Sequence, residues 1–86
     1  MKTIIFTSRA AKDFDALPAP AKITISQAVD DYAIKGQGDV KKLSDRDGYR
    51  LRVGGAYRVI FTEDAVTILA IYVGRRTTMT YRGRVE

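Results

Sequence analysis

The chain contains no cysteine, no histidine and no tryptophan, and it has only two prolines. Without cysteine no disulfide can brace the fold, which agrees with a reducing compartment. Without histidine the commonest general base and the commonest metal ligand are both missing. The two absences argue against a zinc site and against a Cys–His nucleophile pair, so no metal and no other cofactor is expected. Any catalysis has to rest on arginine, lysine, tyrosine or carboxylates. The first segment also lacks a long hydrophobic run. Its apolar stretch, Ile4-Ile5-Phe6, is too short for a signal-peptide core or a membrane span. A soluble, cytoplasmic chain without a membrane partner is therefore expected.

What remains is a small basic globular chain. Its 86 residues suit one domain, spanning 1–86, with a modest core. Apolar residues make up 45 %, an ordinary globular value that speaks against disorder. The formal net charge is +5. A basic domain of this size often binds nucleic acid or an acidic protein, although moderate charge also serves solubility alone. The distribution is more informative. All lysines lie at or before Lys42, and every arginine but Arg9 lies at or after Arg46. Arginine is the better bidentate ligand for phosphate, so the second half is where an anion site is expected.

The hydrophobic pattern gives the element order. Lys2–Thr7 reads as a short strand rich in β-branched residues. Ser8 suits a helix cap, and Ala10, Phe14 and Leu17 share one face of a helix ending near Leu17. Pro18-Ala19-Pro20 breaks that helix and starts a second, which runs to Lys35 with Ala21, Ile25, Ala28, Val29 and Tyr32 as its stripe. Gly36 is a suitable stop. Residues 36–48 read as a polar loop anchored by Val40 and Leu43. Three strands follow at Tyr49–Val53, Tyr57–Thr62 and Val66–Val73. The last is almost wholly apolar and is expected to be central and covered on both faces. The fold class is α+β: a β-α-α-β-β-β order, with an N-terminal helical hairpin on a mainly antiparallel four-stranded sheet.

The chemistry concentrates in Tyr49-Arg50-Leu51-Arg52-Val53 and its hairpin partner. Side chains alternate across a strand, so the turn fixes which faces coincide. A two-residue loop would oppose Leu51 to Arg58 and mix the faces. A three-residue loop, Gly54 to Ala56, opposes Val53 to Tyr57, Leu51 to Val59 and Tyr49 to Phe61. That register buries one consistent apolar face and is the one expected. It sets Arg52 opposite Arg58, with Arg50 two residues along. Opposed like charges destabilise a sheet, so such a cluster suits a face that holds an anion, with phosphate the best match. Arg75-Arg76, past the last strand, can complete the concavity. The bland reading is an arginine-studded face that only discourages sheet stacking.

The stretch Tyr49–Phe61 resembles the paired-strand signature of the RelE/ParE family of type II toxin–antitoxin toxins, closer to RelE. Val73-Gly74-Arg75-Arg76 and Tyr81-Arg82 resemble its closing motif, and Lys41-Lys42-Leu43 resembles its Lys-Leu segment. The resemblance implies a ribosome-dependent endoribonuclease that cuts mRNA and arrests translation. In that chemistry the 2′-OH attacks the adjacent phosphate and leaves a 2′,3′-cyclic phosphate. By motif position Arg50, Arg52, Arg58, Arg76 and Tyr81 form the catalytic set, with Lys41, Lys42, Arg75 and Arg82 contacting RNA. Some relatives carry lysine at the first two positions. Arginine does not give up its proton, so here Arg50 and Arg52 orient RNA and stabilise charge. The base then falls to Tyr81, a carboxylate or a ribosomal group. The implied partners are a cognate antitoxin, the ribosome with its mRNA, and operator DNA only through the antitoxin complex. An acidic antitoxin segment would complement the basic face. Two alternatives stay open: a ParE-like poison of DNA gyrase, and a degenerate, non-enzymatic module that only binds antitoxin.

Overall fold

The computed structural model of the chain describes residues 1–75. The elements run β1 (Thr3–Phe6), α1 (Ser8–Asp15), α2 (Ala19–Lys35), β2 (Asp39–Lys42), β3 (Tyr49–Val53), β4 (Tyr57–Glu63) and β5 (Thr67–Arg75). They form one five-stranded sheet in the order β1-β5-β4-β3-β2. Only the β1–β5 pair is parallel; the rest are antiparallel. The α+β class and the mainly antiparallel sheet agree with the sequence reading, with one strand more than expected.

The extra strand is β2, inside the segment read as loop. Asp39-Val40-Lys41-Lys42 offers one apolar residue, so neither strand nor helix periodicity marks it. It is an edge strand held by backbone pairing to β3, and its lysines suit an edge that must not recruit another strand.

The helix ends follow local chemistry. The α1 cap is Thr7 rather than Ser8: the Thr7 hydroxyl accepts the Ala10 N–H at 3.1 Å. The helix stops at Asp15, two residues before the expected end. Gly36 closes α2 in the left-handed region, at φ 69°, donating to the Tyr32 carbonyl at 2.9 Å.

α1 lies against β5 and α2 against β3, on one face of the sheet. Between them Ala10, Ile25, Val29, Leu51, Val53, Val59, Phe61, Ile68, Ala70 and Val73 form the core. Phe61 is its aromatic centre, stacked on Tyr49 at 5.6 Å and tilted against Tyr32 at 5.4 Å. Each fully buried residue of this size contributes about 1.5–3 kcal/mol. β5 lies between β1 and β4 rather than at the centre, and only its helix side is fully covered. Thr67, Leu69 and Ile71 are half-buried, whereas Ile68 and Ala70 are buried. A bulge sits opposite Ile60/Phe61, where the pairing passes from Phe61–Ala70 to Ile60–Tyr72 and skips Ile71.

A polar clasp ties β1, α2 and β4. Lys2 donates to Glu63 Oε1 and Tyr32 donates to Glu63 Oε2, each at 2.7 Å. Burial pushes the Glu63 carboxyl up, but the hydrogen bonds from Lys2 and Tyr32 and the Lys2 charge outweigh it, holding the group below its ordinary value. The Tyr32 phenol is pushed up to about 12, by burial first and then by its bond to the carboxylate.

Candidate functional site

The hairpin register sets the site. β3 and β4 pair Val53 with Tyr57, Leu51 with Val59 and Tyr49 with Phe61, so Arg52 stands directly opposite Arg58. This is the three-residue-loop register expected from the apolar face. Gly54 opens the turn at φ 58°, a conformation that suits glycine. The apolar members of both strands face the helices, so the arginines face away from them.

Across this outer face the pairings make two rows. One runs Lys41, Arg50, Ile60, Tyr72; the other runs Asp39, Arg52, Arg58, Gly74. Lys41, Lys42, Asp45, Arg50, Arg58 and Ile60 help line a shallow cavity of about 370 Å³. Its floor is the buried Ile60, and its rim carries the charges.

Arg50 and Arg52 are poorly balanced among the described residues. Among those residues Arg52 pairs with Asp39 at 3.8 Å, and the Asp39 side chain is 53 % exposed. Such a pair is worth little, on the order of 0–1 kcal/mol. The Arg50 Nε is shielded from solvent and has no hydrogen-bond acceptor among the described residues. A buried donor left unmet costs about 1–3 kcal/mol. A phosphate oxygen in the cavity would meet that donor and offset the repulsion between opposed cations. The arrangement can bind an anion, orient it with planar guanidinium forks and stabilise additional negative charge. Among the described residues no group of carboxylates marks a metal site.

The structure brings Lys41, Lys42, Arg50 and Arg58 to this cavity, with Arg52 beside Arg58 on the same face. It places Arg75 elsewhere. Arg75 pairs with Tyr57, on the other side of the sheet from the Arg58–Gly74 pair, and its guanidinium lies over the Tyr57 ring at 6.0 Å. Arg76, Tyr81 and Arg82 lie outside the described residues.

Two residues of this face escaped the sequence reading. Tyr72 pairs with Ile60, and its ring extends over Gly74, where a Cβ would fall on the tyrosine hydroxyl. The missing side chain at Gly74 thus brings a phenol toward Arg58. Arg9, from α1, lies 5.6 Å from the Tyr72 ring centroid. The bulge hides this from sequence, because skipping Ile71 shifts the alternation; the nearest signal was Gly74 two residues on. The second residue is Asp45, which the loop between β2 and β3 carries to the cavity rim.

No protein-family model and no curated protein matches the chain. Solved structures do resemble it. The RelBE2 toxin–antitoxin complex from Mycobacterium tuberculosis contains a chain matching at TM-score 0.74 and 24 % identity, covering 87 % of this chain and 98 % of that one. The archaeal RelE–RelB complex from Pyrococcus horikoshii matches at 0.72 and 22 %, covering 88 % and 96 %. The isolated RelE toxin of E. coli matches at 0.74 and 18 %, covering 99 % and 96 %. The chain therefore has the RelE-like fold. Among the described residues no helix is long and apolar enough to cross a membrane.

Proposed function

We propose that this chain is the toxin of a type II toxin–antitoxin pair, a metal-independent endoribonuclease that cuts mRNA on the ribosome, arrests translation and is neutralised by a cognate antitoxin. The observation that carries the reading is the Arg50–Arg52–Arg58 face: opposed guanidinium groups, with an unmet buried donor at Arg50, beside an open cavity. The fold supports it, since the similar chains from M. tuberculosis and P. horikoshii come from complexes of a RelE-type toxin with its antitoxin. Action on ribosomes would place the chain in the cytoplasm.

The scissile phosphate would sit against Arg50 and Arg58. As the 2′ oxygen attacks phosphorus, negative charge builds on the non-bridging oxygens, and fixed guanidinium donors stabilise it without reorganising. The P–O5′ bond then breaks, leaving a 2′,3′-cyclic phosphate and a 5′-hydroxyl end. Lys41 and Lys42 would hold flanking phosphates as point charges. In this reading Arg76 and Tyr81 complete the catalytic set, and Arg75 and Arg82 contact RNA, Arg75 from outside the cavity.

Purified chain incubated with a short mRNA, with and without programmed ribosomes, tests the reading. Ribosome-dependent cutting with cyclic-phosphate ends is expected, abolished by Arg58→Glu. Intact RNA under both conditions contradicts it. Intact RNA together with trapped gyrase–DNA complexes would point to the ParE-like alternative. Intact RNA with retained antitoxin binding would point to a degenerate module.

A further inference from the structure

We infer that the Asp45 carboxylate is the group that takes the proton from the attacking 2′-hydroxyl. The inference rests on the endoribonuclease reading and supplies the base that reading leaves open.

The cavity lining offers few groups that can accept a proton. Its cations, Lys41, Lys42, Arg50 and Arg58, are proton donors; a charged ammonium or guanidinium has no lone pair with which to accept. Leu43 and Ile60 are inert, and the Ser44 hydroxyl is a poor base. Among the described residues that line the cavity, Asp45 alone carries an ionised acceptor.

Other acidic groups at the sheet are engaged, apart from the loop residue Asp47, which does not line the cavity. Asp39 pairs with Arg52 at 3.8 Å. Glu63 is held by Lys2 and Tyr32. Asp64 accepts the Val66 and Thr67 N–H groups at 2.9 and 2.8 Å. By contrast, Asp45 makes no hydrogen bond or ion pair among the described residues. It is nevertheless held near the site, because the Leu43 N–H donates to the Gly48 carbonyl at 2.9 Å and closes the loop at its base. A carboxylate that does no structural work stands at the rim of a cationic cavity.

Asp45 accepts the 2′-OH proton as the 2′ oxygen bonds to phosphorus. Arg50 and Arg58 hold the non-bridging oxygens. The P–O5′ bond breaks, and the departing 5′ oxygen takes a proton from solvent. The carboxylic acid formed at Asp45 then loses its proton to water, which restores the site. The charged groups around the carboxylate are Lys41 and Lys42 from β2, Arg50 from β3, Arg58 from β4, and the loop neighbours Arg46 and Asp47.

Single-turnover cleavage on programmed ribosomes, measured against pH, tests this with Asp45→Asn and Asp45→Glu. Asp45→Asn is expected to lower the rate about 10²–10⁴-fold. Its melting temperature and its affinity for ribosome-bound mRNA should be unchanged or raised. Its acidic limb, where the wild-type rate falls tenfold per pH unit, should flatten. Asp45→Glu should recover part of the rate and restore the limb. Wild-type cutting with Asp45→Asn equally fast, or slower with the acidic limb intact, overturns the assignment while leaving the endoribonuclease reading in place. Weaker mRNA binding that accounts for the whole loss also overturns it. If the wild-type chain cuts no RNA on ribosomes, both readings fall together.

Discussion

Replacing Arg50 by methionine should stabilise the free protein while damaging the proposed anion site. Arg50 carries a shielded Nε with no acceptor among the described residues and stands across from Lys41. An unmet donor costs about 1–3 kcal/mol, and opposed like charges on neighbouring strands add about 0.2–1 kcal/mol. Methionine keeps much of the aliphatic stem, so little packing is lost. Allowing for some relaxation of the site, a net gain of about 1 kcal/mol is expected. For a chain of this size that raises the melting temperature by about 4–8 °C. The assay is thermal melting in a buffer free of phosphate and sulfate, repeated with increasing inorganic phosphate. The wild type should gain stability as phosphate saturates the site, by about 2.7 kcal/mol at a hundred times its dissociation constant. Arg50→Met should begin higher and gain much less. A variant that melts below the wild type without anion would refute the reasoning, since it would mean that the guanidinium is already satisfied in the free protein.

Four further outcomes concern the scaffold. Tyr32→Phe removes a hydrogen bond to a charged acceptor and should cost about 1.5–3 kcal/mol, read by urea unfolding, with the loss towards the low end because Glu63 retains some solvent contact. The Glu63 carboxyl titrates below its ordinary 4.5 in the folded chain. Its contribution is therefore complete above that pH and is lost as the pH falls through the folded value, so Glu63→Gln should flatten the acid side of a stability–pH curve. The Tyr32 phenol titrates above its ordinary value, at about 12. Its contribution is complete below pH 10 and is lost as the pH rises from there towards 12, a loss that Tyr32→Phe should abolish. Ile25→Ala empties a fully buried position under the sheet and should cost about 2–5 kcal/mol in the same unfolding assay.

Much of the fold was legible because binary pattern and register agree. In the β3–β4 hairpin only one register keeps Tyr49, Leu51 and Val53 on the same side as Tyr57, Val59 and Phe61, and it requires Arg52 to face Arg58. Gly36 marked the end of α2 because a left-handed cap favours glycine. The misses have equally local causes. β2 has a single apolar side chain, so backbone pairing to β3 defines it and no periodicity reveals it. β5 looked covered on both faces because apolar residues run through it, but the bulge at Ile71 breaks their alternation and sends Tyr72 to the arginine face. Asp45 stayed hidden because a carboxylate in a polar loop has no distinguishing pattern; the closing of the loop against β3 brings it to the cavity.

The proposed function has the arginine face cut mRNA in the act of translation. It is tested most directly by mapping mRNA 5′ ends after a brief induction of the chain in a bacterium that lacks the antitoxin. The account predicts new 5′ ends within translated frames, which disappear when ribosomes are kept off the message and when Arg58 is replaced by Glu. Growth arrest with intact mRNA, or cutting that Arg58→Glu leaves unchanged, would contradict it.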